Sequence, residues 1–219
     1  MKFSLRHVCG AVMAGLLGLV LAAPVHAGNL VAGGLLLPVP QETDPSGGAT
    51  IDSLSSGFVA PGAYSGTLRS LVVKNDASNP LGGLTFIYQM LNDGVAGPNA
   101  IGRLSIDSFT GFLTDVSYQF AANDVAPAYA DRGINGAVVG FNFFPYLGDP
   151  HAGFLLPGSI SSVLVVQTDA KAYHEVTASI IDGSISQAQS FGPIVPEPSS
   201  VALLGMGAAG IGLVIRRRR

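Results

Sequence analysis

The sequence predicts an all-β protein, an antiparallel β-sandwich flanked by an N-terminal signal helix and a C-terminal transmembrane helix. Between residues 30 and 192, short β-branched or aromatic segments are separated by Gly, Pro, Asn and Asp, the pattern of strands joined by turns. No segment in this range keeps a 3.6-residue period over three turns, so helices between the strands are not expected. These features favour two packed antiparallel sheets, with a jelly roll as the nearest variant.

The first 27 residues are predicted to be a secretory signal peptide. A positively charged start precedes an apolar run over 8–23, and the small-residue sequence Val-His-Ala follows it. This order is typical of a segment that signal peptidase removes after passage through the secretion machinery. Cleavage between Ala27 and Gly28 would leave Gly28 as the new N-terminus. Pro24 and the small Ala27 disfavour the alternative, an uncleaved anchor helix.

The exported chain that would begin at residue 28 has no cysteine, because Cys9 is lost with the signal peptide. It can therefore form neither disulfides nor a Cys-ligated metal site, and its stability must come from apolar burial and backbone pairing. Residues 28–195 contain five basic and thirteen acidic residues, a net charge of −8. Such a surface repels phosphate backbones, so nucleic acid is excluded as a partner.

Seven segments of the predicted exported domain, residues 28–194, are interpreted as strands. The clearest covers 112–120, where apolar and polar residues alternate and predict a strand with one buried and one solvated face. Its predicted inward residues are Phe112, Thr114, Val116, Tyr118 and Phe120, and its outward residues are Asp115, Ser117 and Gln119. The other six segments are 67–74, 84–91, 101–107, 137–144, 160–168 and 173–181.

The connections between these segments are polar and mostly short. Residues 168–171 predict a hairpin between the last two segments, because short connections favour antiparallel neighbours. Residues 76–83 and 92–99 are interpreted as loops of the same kind. The stretch 38–56 is rich in Pro, Gly, Thr and Asp and is predicted to be a long loop.

The end of the sequence predicts a membrane-anchored tail. Residues 199–215 carry no charge, and as a helix they would span about 25 Å, enough for a short membrane crossing. The cluster Arg216, Arg217, Arg218 and Arg219 would stop transfer on the cytoplasmic side, which places the preceding chain outside. Pro196 and Pro198 cannot continue the helix backwards and hold Glu197 in an extended, protease-accessible segment.

This tail resembles the PEP-CTERM sorting signal of exopolysaccharide-associated Gram-negative bacteria. The resemblance is carried by Val195, Pro196, Glu197, Pro198, Ser199 and the four terminal arginines. It implies that an exosortase, a membrane protease, cleaves near the Pro-Glu-Pro and releases the protein from the inner membrane to the cell surface or medium. It also implies exopolysaccharide as a partner. The alternative is a plain C-terminal anchor in which the prolines are linker residues.

The exported domain offers few residues for catalysis. Its two histidines are His151 in a turn and His174 in a predicted strand, and no Gly-x-Ser-x-Gly sequence is present. Surface or structural roles are expected for both, and no catalytic residue is assigned. A hydrolase would require one of these histidines to lie within reach of a serine and an aspartate.

No cofactor and no metal is expected, with calcium as the alternative to test. Oxygen ligands suit calcium, and the candidates are Asn75 and Asp76 with Asn79, and Asn92 with Asp93. Neither group has the spacing of a calcium-binding loop, and Asn-Asp pairs commonly form turns.

The aromatic residues are predicted to lie mostly in the core. The candidates for a carbohydrate platform are Tyr64, Phe86, Tyr88, Tyr118, Phe141, Phe143, Phe144 and Tyr146. In the sequence Phe-Phe-Pro-Tyr at 143–146, consecutive aromatics must face opposite ways or enter a loop. The preferred function is a non-enzymatic component of the cell envelope or extracellular matrix, and the alternative is a carbohydrate-binding or adhesion module with an exposed patch around Phe144 and Tyr146.

Overall fold

The computed structural model describes residues 28–145 and 152–194, which form twelve strands and no α-helix. The strands are β1 (Gly28–Asn29), β2 (Leu35–Leu36), β3 (Ala49–Ala60), β4 (Tyr64–Lys74), β5 (Thr85–Asn92), β6 (Arg103–Ile106), β7 (Thr114–Gln119), β8 (Tyr129–Arg132), β9 (Val139–Asn142), β10 (Val163–Thr168), β11 (Tyr173–Asp182) and β12 (Ser184–Pro193). Within these ranges no helix is long and apolar enough to cross a membrane. The predicted signal peptide and transmembrane tail lie outside the described residues.

The strands form two six-stranded antiparallel sheets. Sheet A has the order β1-β7-β10-β5-β4-β3, and sheet B has the order β12-β11-β6-β9-β8-β2. The prediction of an all-β fold with antiparallel sheets is confirmed. Each of the seven segments predicted as strands overlaps one observed strand, from β4 to β7 and from β9 to β11.

One hydrophobic core contains residues from both sheets. Its largest fully buried side chains include Tyr64, Tyr88, Phe58, Phe86, Phe109, Phe141 and Phe143. Two tyrosines of sheet A also bond to sheet B. The Tyr64 hydroxyl donates to the Ile180 carbonyl at 2.7 Å, and the Tyr88 hydroxyl donates to the Phe191 carbonyl at 2.8 Å. Each buried hydroxyl therefore has the partner that burial requires.

Two predicted connections are wrong. Residues 168–171 do not form a hairpin, because β10 pairs with β5 and β7 in sheet A whereas β11 pairs with β6 and β12 in sheet B. The connection therefore crosses between sheets. The predicted loop 38–56 is wrong from residue 49 onward, where β3 pairs along its length with β4. Its Ser and Thr content reflects a strand that is half solvated rather than a loop.

The face assignment in strand β7 is also partly wrong. Val116 and Tyr118 lie in the core as predicted, but Asp115 and Ser117 on the opposite face are buried as well. The cause is the segment around residues 40–45, which pairs with β7 near Tyr118 and covers that face of sheet A. A loop distant in sequence therefore buries a face that alternation alone assigns to solvent.

Candidate functional site

Three aromatic rings form an exposed cluster on the outer face of sheet B, here called the aromatic patch (Tyr129, Phe144 and Phe154). The rings of Tyr129 and Phe144 are stacked, with centroids 6.1 Å apart and planes inclined by 12°. Phe154 meets Phe144 edge to face at 5.3 Å. Phe144 is 38% exposed and Phe154 is 37% exposed. The patch therefore presents a preorganised apolar surface to solvent.

Strand alternation explains why Phe144 is exposed. Phe143 is fully buried in the core, so the next side chain points away from it. Tyr129 reaches the same surface because it lies directly opposite Asn142 in the β8–β9 ladder. Of the two alternatives predicted for the consecutive phenylalanines, opposite faces or entry into a loop, the structure shows the first. Tyr146, the other residue predicted for this patch, lies outside the described residues.

A polar network adjoins the aromatic patch on the same face, formed by Arg103, Ser105, Asp131 and Asn142. The Arg103 guanidinium donates from its two terminal nitrogens to the two carboxylate oxygens of Asp131, at 2.6 and 3.0 Å. It also donates to the Asn142 amide oxygen at 2.8 Å and to the Ser105 hydroxyl at 2.7 Å. This bidentate pair holds the guanidinium in one orientation.

Gly140 makes room for this arrangement. A Cβ atom at position 140 would lie 2.1 Å from the Nη2 atom of Arg103, so any larger residue would displace the guanidinium from above β9. The Arg103 and Asp131 side chains remain about one quarter and one third exposed. The network therefore presents fixed polar groups beside the aromatic rings.

Stacked rings beside fixed donors and acceptors suit a ligand with apolar faces and polar edges, as a sugar ring has. The sequence identified Phe144 but missed Tyr129 and Phe154. Only the pairing of β8 with β9 brings Tyr129 to the patch, and Phe154 lies outside every segment predicted as a strand.

His174 contacts a serine, as the histidine of a serine hydrolase would. Its Nε2 atom lies 2.9 Å from the Ser108 hydroxyl, which also donates to the Pro193 carbonyl at 2.8 Å. If the hydroxyl hydrogen is directed to Pro193, the serine accepts from His174, the reverse of what a general base requires. No carboxylate bonds to His174 among the described residues. His151 lies outside them.

Side chains of both calcium candidates make hydrogen bonds within the protein. Asp76 accepts through Oδ1 from the Ser46 and Ser78 amides and the Ser78 hydroxyl, and through Oδ2 from Thr85 and Gln167, at 2.6–3.1 Å. Burial raises the pKa of Asp76, but the bonds from Ser78 and Thr85 outweigh it and hold the pKa below its usual value. These bonds occupy both carboxylate oxygens.

The remaining calcium candidates organise the turns around them. Asn79 donates to the Gly83 carbonyl at 3.2 Å, and Asn92 donates to the Leu155 carbonyl at 2.9 Å. Asp93 accepts from the Ser65 hydroxyl at 2.5 Å. The described residues contain no group of three or more His, Cys, Asp or Glu side chains arranged to hold a metal ion.

Three carboxyl groups cluster where the segment around residues 40–45 covers sheet A, namely Glu42, Asp44 and Asp115. Burial raises the pKa of Glu42 to about 7, with further contributions from the Asp44 charge, a hydrogen bond to Asp44 and the Asp115 charge. The Oε1 atom of Glu42 is buried and accepts no hydrogen bond in the described structure. Sequence reasoning missed this cluster because the three residues meet only through the fold.

The Glu42 environment predicts a pH-dependent stability. A raised pKa means that the folded state holds the proton more tightly, so stability falls as the pH rises from about 4.5 to about 7. We expect Glu42→Gln to raise the free energy of unfolding at pH 8 by about 1–2 kcal/mol, or the Tm by about 3–6 °C, after allowance for solvent screening. At pH 4 the change should be small.

Thermal unfolding at both pH values checks this prediction. The control is Glu175→Gln, the same substitution at an exposed position on β11. A lower Tm for Glu42→Gln than for the wild type at pH 8 would contradict the raised pKa that is assigned to Glu42.

The two processing sites flank the described domain. Gly28, predicted to follow the signal-peptide cut, pairs with Val116 in β1. At the other end, Pro193 pairs with Tyr173, and the Ile194 amide donates to the Ala172 carbonyl at 3.1 Å. Ala27, the Pro-Glu-Pro residues and the terminal arginines lie outside the described residues.

The fold and its surface define an all-β domain that carries a solvent-exposed aromatic patch beside a polar network. Comparison with known families then accounts for the tail, since residues 195–219 match the family model of the PEP-CTERM protein-sorting motif. The chain thus carries this sorting motif, which implies export, a membrane-anchored sorting tail and processing by an exosortase. No curated protein and no solved structure matches the chain.

Proposed function

We propose that the protein is a non-enzymatic component of the cell surface or extracellular matrix, delivered by exosortase processing and associated with exopolysaccharide. The observation that carries the proposal is the sorting motif at 195–219, which follows directly on Ile194, whose amide donates to the Ala172 carbonyl next to β11. Only Ile194 and Val195 separate the end of β12 from Pro196. The β-sandwich is then presented as one compact unit beside the cleavage segment.

The strand registers support a display role. The tail leaves beside Tyr173, whereas Arg103 and Asn142 lie level with Ile181, at the other end of β11. Eight residues of extended strand correspond to about 27 Å. The polar network and the adjoining aromatic patch therefore lie towards the end of β11 that is opposite the point where the chain leaves the domain, which would keep them accessible in a domain attached through that point.

Activity assays test the non-enzymatic role. The protein purified from the cells that export it is incubated with polysaccharide, ester and peptide substrates, and no turnover is expected. Turnover that is lost in both Ser108→Ala and His174→Ala would overturn the proposal in favour of a hydrolase.

The second candidate function is carbohydrate binding or adhesion through the aromatic patch. The stacking of Tyr129 on Phe144, next to the bidentate pair of Arg103 and Asp131, favours it. We expect Phe144→Ala to weaken binding to a glycan identified on an array by about tenfold, since an aromatic contact contributes about 0.5–1.5 kcal/mol beyond the area that it buries.

Ile134→Ala is the matched control, because Ile134 is 93% exposed in the β8–β9 turn and outside the patch. Binding by Ile134→Ala should equal that of the wild type. Silence of the wild-type protein on the array, or equal binding by Phe144→Ala, would contradict a carbohydrate-binding role for this surface.

A further inference from the structure

A groove of about 440 Å³ crosses the outer face of sheet A, on the opposite side of the domain from the aromatic patch. We call it the Arg69 groove. It is lined by Arg69, Gln89, Gln119, Leu71, Ile87 and Val163. A smaller cavity of about 250 Å³ shares Arg69 and Gln89 with it and adds the hydroxyls of Ser55 and Thr67. The two spaces together have the size of a site for a small ligand.

Arg69 carries a positive charge that no neighbour neutralises. It is exposed, and in the part of the chain that the structure describes it has neither a hydrogen bond nor an ion pair. Its cross-strand neighbours, Ser55 on β3 and Gln89 on β5, are uncharged. In contrast, Arg103 pairs with Asp131, and Arg132 is enclosed by backbone carbonyls. A free guanidinium in a groove matches a carboxylate, which it can bind through two parallel hydrogen bonds.

The amide groups of the Arg69 groove are oriented by the protein. The Gln89 side-chain nitrogen donates to the Ser161 carbonyl at 3.1 Å, and the Gln119 side-chain nitrogen donates to the Asp44 carbonyl. Both amide nitrogens are thereby engaged, which leaves each amide oxygen as an acceptor for ligand hydroxyls. Leu71, Ile87 and Val163 supply the apolar surface between these groups.

This arrangement favours a sugar acid over an acidic peptide. The groove lies on the face of the sheet, where the main-chain groups of β4 and β5 are already paired with each other and with β3 and β10. A peptide backbone would find no free strand edge to pair with. Hydroxyl groups, however, match the amide and hydroxyl side chains.

We propose that the Arg69 groove binds a hexuronate residue, with its carboxylate on the Arg69 guanidinium and its hydroxyls on Gln89 and Gln119. The site accepts one carboxylate at a time, because Arg69 is the only basic residue among those lining the two cavities. Asp44 and Glu42, which adjoin Pro45 at the other end of the groove, disfavour a second anion there. The ligand class is therefore a glycan with isolated carboxylates.

The test is calorimetric or NMR titration of the protein, purified from the cells that export it, with D-glucuronate, D-glucose and acetate. We expect glucuronate to bind at least about tenfold more tightly than either of the others. Arg69→Gln should lower its affinity by at least about tenfold, Arg69→Lys should retain part of it, and raised salt should weaken it. Lys74→Gln, at an exposed lysine on the same strand that does not line the groove, should bind like the wild type.

Two results would overturn the proposal. One is equal affinity of Arg69→Gln and the wild type for glucuronate, and the other is equal binding of glucuronate and either acetate or glucose. Phe144→Ala tests binding at the aromatic patch, and Arg69→Gln tests binding at the Arg69 groove. A negative result for one of these sites can therefore be distinguished from a negative result for the other.

Discussion

Replacement of Arg132 by methionine is expected to lower the free energy of unfolding by about 3–5 kcal/mol. Arg132 is only 6% exposed, and all its hydrogen bonds in the described structure go to oxygen atoms without a formal charge. These acceptors are the carbonyls of Leu30, Phe109, Phe112 and Gly136 and the hydroxyl of Thr114, at 2.7–3.1 Å. Methionine fills the space but supplies none of these five hydrogen bonds.

Urea unfolding measures this effect, and Arg103→Met is the matched control. Arg103 lies on the outer face of sheet B with a quarter of its side chain exposed, so its removal should cost only about 1 kcal/mol. Arg132→Lys should fall between Arg132→Met and the wild type, because an ammonium group has fewer donors than the guanidinium. Equal stability of Arg132→Met and Arg103→Met would contradict the role assigned to Arg132.

Loss of the sorting signal is expected to abolish processing. In Glu197→Ala, and in a chain lacking Arg216–Arg219, we expect unprocessed protein to accumulate in the inner membrane. The first change removes the carboxylate between the two prolines, and the second removes the positive charges that hold the tail on the cytoplasmic side. Immunoblots of membrane and extracellular fractions report the outcome.

Glu175→Ala is the control for this experiment, since Glu175 is an exposed carboxylate in the domain itself. It should be processed and released like the wild type. Normal release of either tail variant would exclude the predicted roles of Glu197 and the arginine cluster.

Much of the fold could be predicted from the sequence. The alternation of apolar and polar residues in a strand, and the residues that favour a turn, can both be recognised within a few neighbouring positions. The position of strand β7 and the opposite orientations of Phe143 and Phe144 follow from the two-residue period, whereas the burial of Asp115 and Ser117 does not. The hairpin of β11 and β12 was missed, although Asp182-Gly183 is a strong turn signal and Gly183 has a φ of 64°. The polar sequence of β12 concealed it, because Ser186 and Ser190 occupy buried positions where a strand pattern would show apolar residues.

Long-range pairing accounts for what the sequence could not predict. Whether residues 168–171 join neighbours or cross between sheets depends on the partners of β10 and β11, which local composition does not encode. The burial of Arg132 depends on Leu30, Phe109 and Phe112, which lie 20 to 102 residues away in sequence. The aromatic patch and the Arg69 groove likewise join residues from segments that are distant in sequence.

The intact mass of the protein recovered outside the cell reports both processing sites in one measurement. We expect a chain that begins at Gly28 and ends near the Pro-Glu-Pro sequence at 196–198, apart from any attached group. An extracellular protein that retains Arg216–Arg219, or one found only in the cytosol with residues 1–27 intact, would contradict this expectation.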